Sequence, residues 1–243
     1  MRKIFFISDA HIGAGDIQQE NLKLDKLKKF ADIAIAEGET LFILGDFFDF
    51  WFEYKRTVFI RNFDALCILK KIADAGVQMH FFGGNHDWWM KKKGFFHNEL
   101  NAKVYRKPAT IEIRGKKFFL AHSDGIAPSD WGYRNILKPI LRNPLSVWLF
   151  RLLPSAIAWR LANFVSSGSR LYTKKRNLRF EKECEEFAQK KIQEGFDFVI
   201  LAHTHFAVVH QFDNGIYMNI GEFFEQFNYA EFDGNNLILK RIE

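Results

Sequence analysis

Five short fragments of this chain combine aspartate, histidine and asparagine at spacings that suit metal binding. They are Asp9-x-His11, Gly45-Asp46-x-x-Asp49, Gly84-Asn85-His86-Asp87, His122 and His203-x-His205. Five of the eight histidines lie in these fragments. Carboxylate, imidazole and amide oxygen donors together suit borderline divalent ions such as Mn²⁺, Fe²⁺ or Zn²⁺. The chain therefore predicts a metal centre, which needs no serine or cysteine nucleophile.

The number of donors is large enough for two metal ions that share one carboxylate. Two ions about 3.5–4 Å apart can activate water and clamp the oxygens of a phosphoryl group during in-line attack. We expect His86 to protonate the leaving oxygen and Asp87 to hold the imidazole of His86 in the correct tautomer. Asp49 is expected to orient a ligand rather than to bind metal.

The elements that position the first three fragments alternate between strands and helices. Apolar runs predict strands over residues 3–7, 40–44 and 77–82, and a fragment follows each of them. Helical periodicity predicts helices over residues 21–37 and 58–75. This alternation with short links predicts right-handed βαβ units and a parallel sheet, which binds ligands beyond the carboxyl ends of its strands.

The second half of the chain is predicted to contain mainly antiparallel strands. Hairpins are expected over residues 110–121, 206–220 and 229–242, with a helix over 177–193 and a buried strand over 196–201. His122 follows the first hairpin, and His203 follows the buried strand. Parallel units followed by antiparallel strands predict an α/β fold in which two sheets pack together between helices.

The order of the five fragments resembles that of the calcineurin-like metallophosphoesterases, and the match extends from Asp9 to His205. The resemblance implies a four-layer αββα sandwich and two metal ions. It implies that one ion is bound by Asp9, His11, Asp46 and His205, and the other by Asp46, Asn85, His122 and His203. Ala121 and Ala202 replace glycines of the usual pattern, and we expect only a small change in backbone packing there.

Residues 44–52, Leu-Gly-Asp-Phe-Phe-Asp-Phe-Trp-Phe, are similar to the UDP-2,3-diacylglucosamine hydrolases of lipid A synthesis. This narrower resemblance implies cleavage of the pyrophosphate of UDP-2,3-diacylglucosamine to UMP and 2,3-diacylglucosamine 1-phosphate, with Mn²⁺ as the preferred metal. It also implies work in the cytoplasm, at the anionic surface of the inner membrane. His86 departs from well-known members, which have arginine there, and matches the broader superfamily.

Residues 126–172 interrupt the core, which is expected to comprise residues 1–125 and 173–243. No acidic residue lies between Asp130 and Glu181, but ten of the 35 Lys and Arg residues do, and six of those ten are in the insertion. The net charge of +6 therefore arises from residues 131–180. Two apolar stretches, 145–153 and 156–164, contain no run of about 18 apolar residues that could span a membrane.

The resemblance implies that this insertion is a helical lid with an apolar inner face for acyl chains and a cationic rim. The alternative is a pair of helices that pack on the main domain while their arginines reach solvent. The residues expected to contact substrate are Asn85, His86, Ser167, Arg170 and Lys174.

Two other functions remain open at this point. The basic segment could follow a nucleic-acid backbone in a phosphodiesterase or nuclease, although a stable nucleic-acid partner is not expected because the apolar residues of the insertion would have no role. A scaffold protein that keeps the metal site as a relic is also conceivable, but the complete donor set argues against it. The sequence leaves the oligomeric state open.

Overall fold

The first half of the chain forms a parallel sheet that is flanked by helices. The computed structural model describes residues 1–54 and 57–243, without the side chains of residues 162–177. Four neighbouring strands are parallel, and they are β1 (Lys3–Ile7), β2 (Gly38–Ile43), β3 (Gln78–Phe82) and β4 (Lys103–Tyr105). The helices between them are α1 (Ile17–Glu37), α2 (Phe63–Asp74) and α3 (Phe95–Leu100). The predicted βαβ units are confirmed, whereas α3 and β4 had not been predicted.

Helix α1 begins four residues earlier than its apolar periodicity suggested. Asp16 is its N-cap and accepts a hydrogen bond from the backbone N–H of Gln19, whose side chain accepts one from the backbone N–H of Asp16. This reciprocal pair is a capping box, which satisfies two backbone donors that a helix start otherwise leaves unpaired.

The second half of the chain forms a five-stranded sheet and completes the first sheet. The strands of the second sheet, in spatial order, are β5 (Ala109–Ile113), β6 (Lys116–Leu120), β7 (Phe198–Leu201), β9 (Gly215–Ile220) and β8 (Ala207–Phe212). Strands β6, β7 and β9 are parallel, and β5 and β8 are antiparallel edges. The last hairpin, β10 (Asn228–Phe232) and β11 (Leu237–Arg241), adds to β1 and so extends the first sheet.

The buried side chains divide into three apolar layers, which define a four-layer αββα sandwich. Phe5 and Ile7 of β1 face helices α1 and α2, whereas Ile4 and Phe6 face the second sheet. On the far side of the second sheet, Cys184 and other residues of helix α6 (Ser155–Gln193) pack on it. The continuous apolar run of β1 thus reflects burial on both faces, as parallel strands require.

The insertion region contains a π-helical stretch (Tyr133–Leu137) and helices α4 (Lys138–Arg142) and α5 (Pro144–Leu152). Helix α6 begins in the predicted insertion and ends in the core. In the described part of the chain, no helix is both long and apolar enough to cross a membrane. The division into core and lid stays a prediction.

Candidate metal centre

The five fragments meet at one edge of the sandwich. The first donor residue of each fragment lies two or three residues after a strand end, and the strands are β1, β2, β3, β6 and β7. Within each sheet these strands are parallel to one another, so their carboxyl ends lie on the same side. Open α/β sheets bind ligands at this edge.

Asp9, His11 and His205 form the first donor group. Their ligand atoms all lie within 4.8 Å of one another. Asp9 Oδ1 is 3.2 Å from His205 Nε2, and the Nε2 atoms of His11 and His205 are 3.4 Å apart. The three side chains therefore face a common point.

Asp46, His122 and His203 form a second donor group, whose ligand atoms also lie within 4.8 Å of one another. His122 Nε2 is 3.2 Å from Asp46 Oδ2 and 3.2 Å from Asn85 Oδ1, so the amide oxygen joins this group. The second group contains the four residues that the resemblance had assigned to the second ion.

Asp46 connects the two groups. Its Oδ2 atom lies 4.0 Å from His11 Nε2 as well as 3.2 Å from His122 Nε2, and the side chain is about 2% exposed. One potential ligand atom from each of His11, Asp46 and His86 also lies within 4.8 Å of the other two. The structure thus brings together all seven residues predicted to bind metal, with Asp46 between the two sets.

The residues present fit divalent metal ions. Asp9 Oδ1 is buried and makes no hydrogen bond of good geometry to the described groups, although an imidazole nitrogen faces it. A buried carboxylate oxygen without a hydrogen bond is costly, and a coordinated cation removes that cost. The mixture of carboxylate, imidazole and amide oxygen matches the preferences of borderline divalent ions.

The imidazoles are held by contacts on their outer nitrogens. His122 Nδ1 is 2.9 Å from the carbonyl oxygen of Leu44, which can only accept, so Nδ1 carries the proton. In the same way His86 Nδ1 donates to the carbonyl oxygen of Asp49 at 2.8 Å. Such contacts fix the tautomer and direct Nε2 towards the centre, as metal sites require.

The buried carboxylates and imidazoles of the centre shift one another's pKa values. Burial alone would raise the pKa of Asp46, but the imidazoles of His122 and His86 outweigh burial and keep the pKa well below its usual range. Burial likewise lowers the pKa of His122, yet Asp46 outweighs it and raises the pKa to about 10. Because a ligating imidazole gives up this proton, metal binding is expected to release protons.

The backbone at the centre is strained in a specific way. Asp9, His11, Asp46, His203 and His205 have φ values of 49°, 42°, 50°, 81° and 64°. Left-handed conformations cost non-glycine residues of order 1–3 kcal/mol each and cluster at functional sites. Here they are held by hydrogen bonds between loops, since Asp9 N donates to Gly45 O and His203 N donates to Asp9 Oδ2, both at 3.1 Å.

At two positions in the fragments, neighbouring atoms come so close to the backbone that only glycine fits. A Cβ at Gly84 would lie 2.1 Å from Asp46 Oδ1 and 2.7 Å from Asp46 N. A Cβ at Gly45 would lie 2.7 Å from His122 Nδ1, and Gly45 also has φ +94°. Any side chain at these positions would push apart the loops that carry Asp46, Asn85 and His122.

The contacts of Asp87 differ from those predicted. Its carboxylate accepts hydrogen bonds from the backbone N–H groups of Gly84, Asp46 and Phe47, at 2.8, 3.2 and 2.9 Å. Asp49 instead contacts His86, through its carbonyl oxygen and through Oδ1, which is 3.5 Å from His86 Nδ1. Asp87 therefore joins two loops, and Asp49 makes the contact with His86 Nδ1 that was expected of Asp87.

The structure also reveals cations that the fragments did not indicate. Arg142 Nη2 lies 2.7 Å from Asp124 Oδ2 and 3.4 Å from the carbonyl oxygen of Gly84, and Lys138 Nζ is 3.0 Å from Asp124 Oδ2. Gly84 precedes Asn85, and Asp124 follows His122 by two residues. The signal in the sequence was the four-residue spacing of Lys138 and Arg142, which places both on one helical face.

The predicted substrate contacts are only partly described. Asn85 and His86 lie in the centre, as the distances above show. Ser167, Arg170 and Lys174 lie outside the residues whose side chains the structure describes.

Comparison with known proteins agrees with this geometry. The family model for calcineurin-like phosphoesterases matches residues 2–207. The chain therefore belongs to the calcineurin-like phosphoesterase family, and it is a metal-dependent hydrolase.

Within that family, its similarity to one group of enzymes extends over most of the chain. It is 31% identical to the UDP-2,3-diacylglucosamine hydrolase of Porphyromonas gingivalis, over 99% of this chain and 98% of that protein. It is 27% identical to the enzyme of that name from Haemophilus influenzae, over 95% and 93%. An archaeal phosphodiesterase of known structure has a TM-score of 0.50 at 16% identity, with 98% of this chain and 99% of that chain covered, which shows the fold alone.

Proposed function

We propose that this chain hydrolyses the pyrophosphate of UDP-2,3-diacylglucosamine to UMP and 2,3-diacylglucosamine 1-phosphate with two divalent ions. The observation that carries the proposal is the position of Asp46, which lies between two complete donor groups. Relatives matched over nearly the whole chain bear the name of this activity. Mn²⁺ is the proposed metal because the donor set suits it and the resemblance points to it.

The ions, when bound, would activate water and neutralise charge on the phosphoryl oxygens. The side chains of the protein supply the remaining functions. His86 Nε2 faces Asp46 Oδ2 at 3.9 Å and would deliver a proton to the leaving phosphate oxygen. The carbonyl oxygen of Asp49 accepts a hydrogen bond from His86 Nδ1 and so would keep His86 Nε2 directed at the reacting groups. Asn85, as a metal ligand beside His122, would also contact a phosphate oxygen.

The insertion supports a lipid substrate. Phe150 of α5 packs against Phe52 and Phe50, with ring centroids 4.9 and 6.0 Å apart, and these two aromatic residues closely follow Asp46. Trp89 Nε1 donates to the carbonyl oxygen of Leu141, which also connects the insertion to the loop after His86. An apolar chain beside α5 would therefore lie next to the metal centre, as a lid over acyl chains requires.

The exposed face of the insertion supports association with a membrane surface. Trp148, Leu149 and Leu152 on α5 are exposed, and so are Ile157 and Leu161 at the start of α6. Cations accompany them and no acidic residue does, which favours anionic lipid headgroups. We propose that the enzyme works at the cytoplasmic surface of the inner membrane, as the resemblance to enzymes of lipid A synthesis implies. Ser167, Arg170 and Lys174 remain proposed contacts of the substrate.

The test is hydrolysis of purified UDP-2,3-diacylglucosamine with Mn²⁺ in ¹⁸O-labelled water, followed by mass spectrometry. We expect equimolar UMP and 2,3-diacylglucosamine 1-phosphate, with one ¹⁸O atom in one product, and loss of activity with a chelator. A UDP-sugar without acyl chains is the control and should be a poor substrate.

The competing function is a phosphodiesterase or nuclease with another substrate. Rapid, metal-dependent cleavage of a simple phosphodiester or of DNA, with none of the nucleotide lipid, would overturn the proposed substrate. That outcome would leave the proposed metal centre unaffected.

A further inference from the structure

A buried carboxylate lies directly behind the metal centre, on helix α6. Glu181 is 7% exposed, and its described partners are all neutral side chains. Its Oε2 atom accepts from Thr204 Oγ1 at 2.5 Å and from Asn219 Nδ2 at 2.7 Å, and its Oε1 atom accepts from Tyr217 OH at 2.6 Å. Burying a carboxylate costs free energy, so glutamates that only form part of a helix usually lie on the surface. The buried position of Glu181 therefore calls for another explanation.

Thr204 is the residue through which this carboxylate reaches the metal centre. It stands between His203, which belongs to the donor group of Asp46 and His122, and His205, which belongs to the group of Asp9 and His11. Its hydroxyl also accepts from Asn219 Nδ2 at 2.7 Å and from the backbone N–H of Phe206 at 3.4 Å. The side chain is fully buried.

The loop needs such support because its backbone is unfavourable. Both histidines have positive φ, 81° at His203 and 64° at His205. Non-glycine residues stay in this region only where surrounding contacts hold them there. The hydrogen bonds of Thr204 hold the residue between the two strained ones.

The same network extends to the other side of the first donor group. Asn219 Oδ1 accepts from the backbone N–H of Gly221 at 3.2 Å, and Ser8 Oγ donates to the carbonyl oxygen of Gly221 at 3.4 Å. Ser8 directly precedes Asp9. The hydrogen-bond network that begins at Glu181 therefore reaches loops of both sheets.

We infer that Glu181 is a positioning residue for the metal centre, which holds Thr204 and thereby directs His203 to one donor group and His205 to the other. This inference rests on the metal ligation in the proposed function but not on the proposed substrate. Glu181 touches neither metal nor substrate, so its effect is indirect.

The experiment measures Mn²⁺ affinity by titration calorimetry, at a temperature where every variant is folded. Glu181→Leu removes the acceptor, and Thr204→Val removes the link while keeping the shape of the side chain. We expect both to weaken Mn²⁺ binding by about 10–100-fold, the range for partners that orient metal ligands. Glu181→Gln should restore most of the affinity, because its amide oxygen can still accept from Asn219 and its amide group can donate to a hydroxyl.

Two controls separate positioning from a merely structural role. Tyr217→Phe removes a hydrogen bond from the same carboxylate on the side away from the loop, so it should lower Tm without changing Mn²⁺ affinity. Glu186→Gln alters an exposed carboxylate of the same helix and should change neither quantity.

Wild-type Mn²⁺ affinity in both Glu181→Leu and Thr204→Val would overturn the inference, and so would an equal loss of affinity in Tyr217→Phe. A failure of the proposed substrate has a different signature. The variants would still differ in Mn²⁺ affinity while the wild-type enzyme failed to hydrolyse the nucleotide lipid.

Discussion

The side chains of the metal centre are buried and hydrogen-bonded within the fold, whereas many side chains of the insertion are exposed to solvent. At the centre, the donor side chains of Asp9, Asp46 and His122 are buried, and loops from both sheets hold one another through hydrogen bonds. On α5, in contrast, Trp148 and Leu152 are 54% and 63% exposed. Folding alone therefore assembles the metal centre, whereas the insertion leaves apolar area exposed, which the proposed lipid substrate would cover.

Replacing the shared carboxylate should have the largest effect. Asp46→Ala removes a donor from both groups, so we expect both ions to be lost and hydrolysis to fall by at least about 10³-fold, the upper scale for removing one electrostatic group. Metal content by mass spectrometry and kcat are the measurements. Asp32→Ala, an exposed aspartate of α1, is the control. A variant that kept one tightly bound ion would show that the groups are independent.

Filling the space at Gly84 should disturb the centre without removing a donor. Gly84→Ala places a Cβ against Asp46, so we expect a loss of about 1–3 kcal/mol in the free energy of unfolding and weaker Mn²⁺ binding. Denaturant unfolding of the metal-free protein measures the first effect. Gly132→Ala is the control, because its Cβ would meet nothing within 4 Å and its φ is negative. Equal stability of the two variants would contradict the close packing of the loops.

Substitutions on α5 should weaken binding of the lipid substrate without changing the rate of the hydrolysis step. Burial of a large apolar side chain contributes about 1.5–3 kcal/mol, so Trp148→Ser should raise KM for the nucleotide lipid by about tenfold or more. The kcat for a small, soluble phosphodiester should not change. Leu178→Ser, an exposed leucine of α6 outside the insertion, is the control. The lid interpretation would fail if both substitutions raised KM equally.

The smallest effect is expected for a single cation of the insertion. Arg151 Cζ lies 5.7 Å from the centroid of the Phe52 ring, and the residue is exposed on α5. Since one basic residue near an anionic surface contributes about 1 kcal/mol, Arg151→Gln should weaken binding to anionic vesicles by about fivefold. Vesicle sedimentation at low and high salt measures it, with Lys28→Gln on α1 as the control. Equal vesicle binding by Arg151→Gln and the wild-type protein at low salt would contradict an electrostatic contribution of Arg151.

Much of the fold could be predicted because local chemistry defines it. The strands β1, β2, β3 and β7 are apolar runs that end at polar fragments, so their positions were clear from the sequence. Strand β4 was missed because it has only three residues, Lys103–Tyr105, too few to show a period. The start of α1 at Asp16 was missed although the capping box was readable, because the apolar periodicity begins later.

The kinds of donor in the metal centre and their order along the chain can be read from the amino-acid sequence. This was possible because each fragment follows a strand, and the ends of parallel strands meet at one edge. The partners that hold those donors became visible in the folded structure alone. Asp49 rather than Asp87 contacts His86 Nδ1, and Glu181 accepts a hydrogen bond from Thr204, which lies between two histidines. Such contacts join residues far apart in the chain, and they depend on how the four layers pack, which local patterns do not encode.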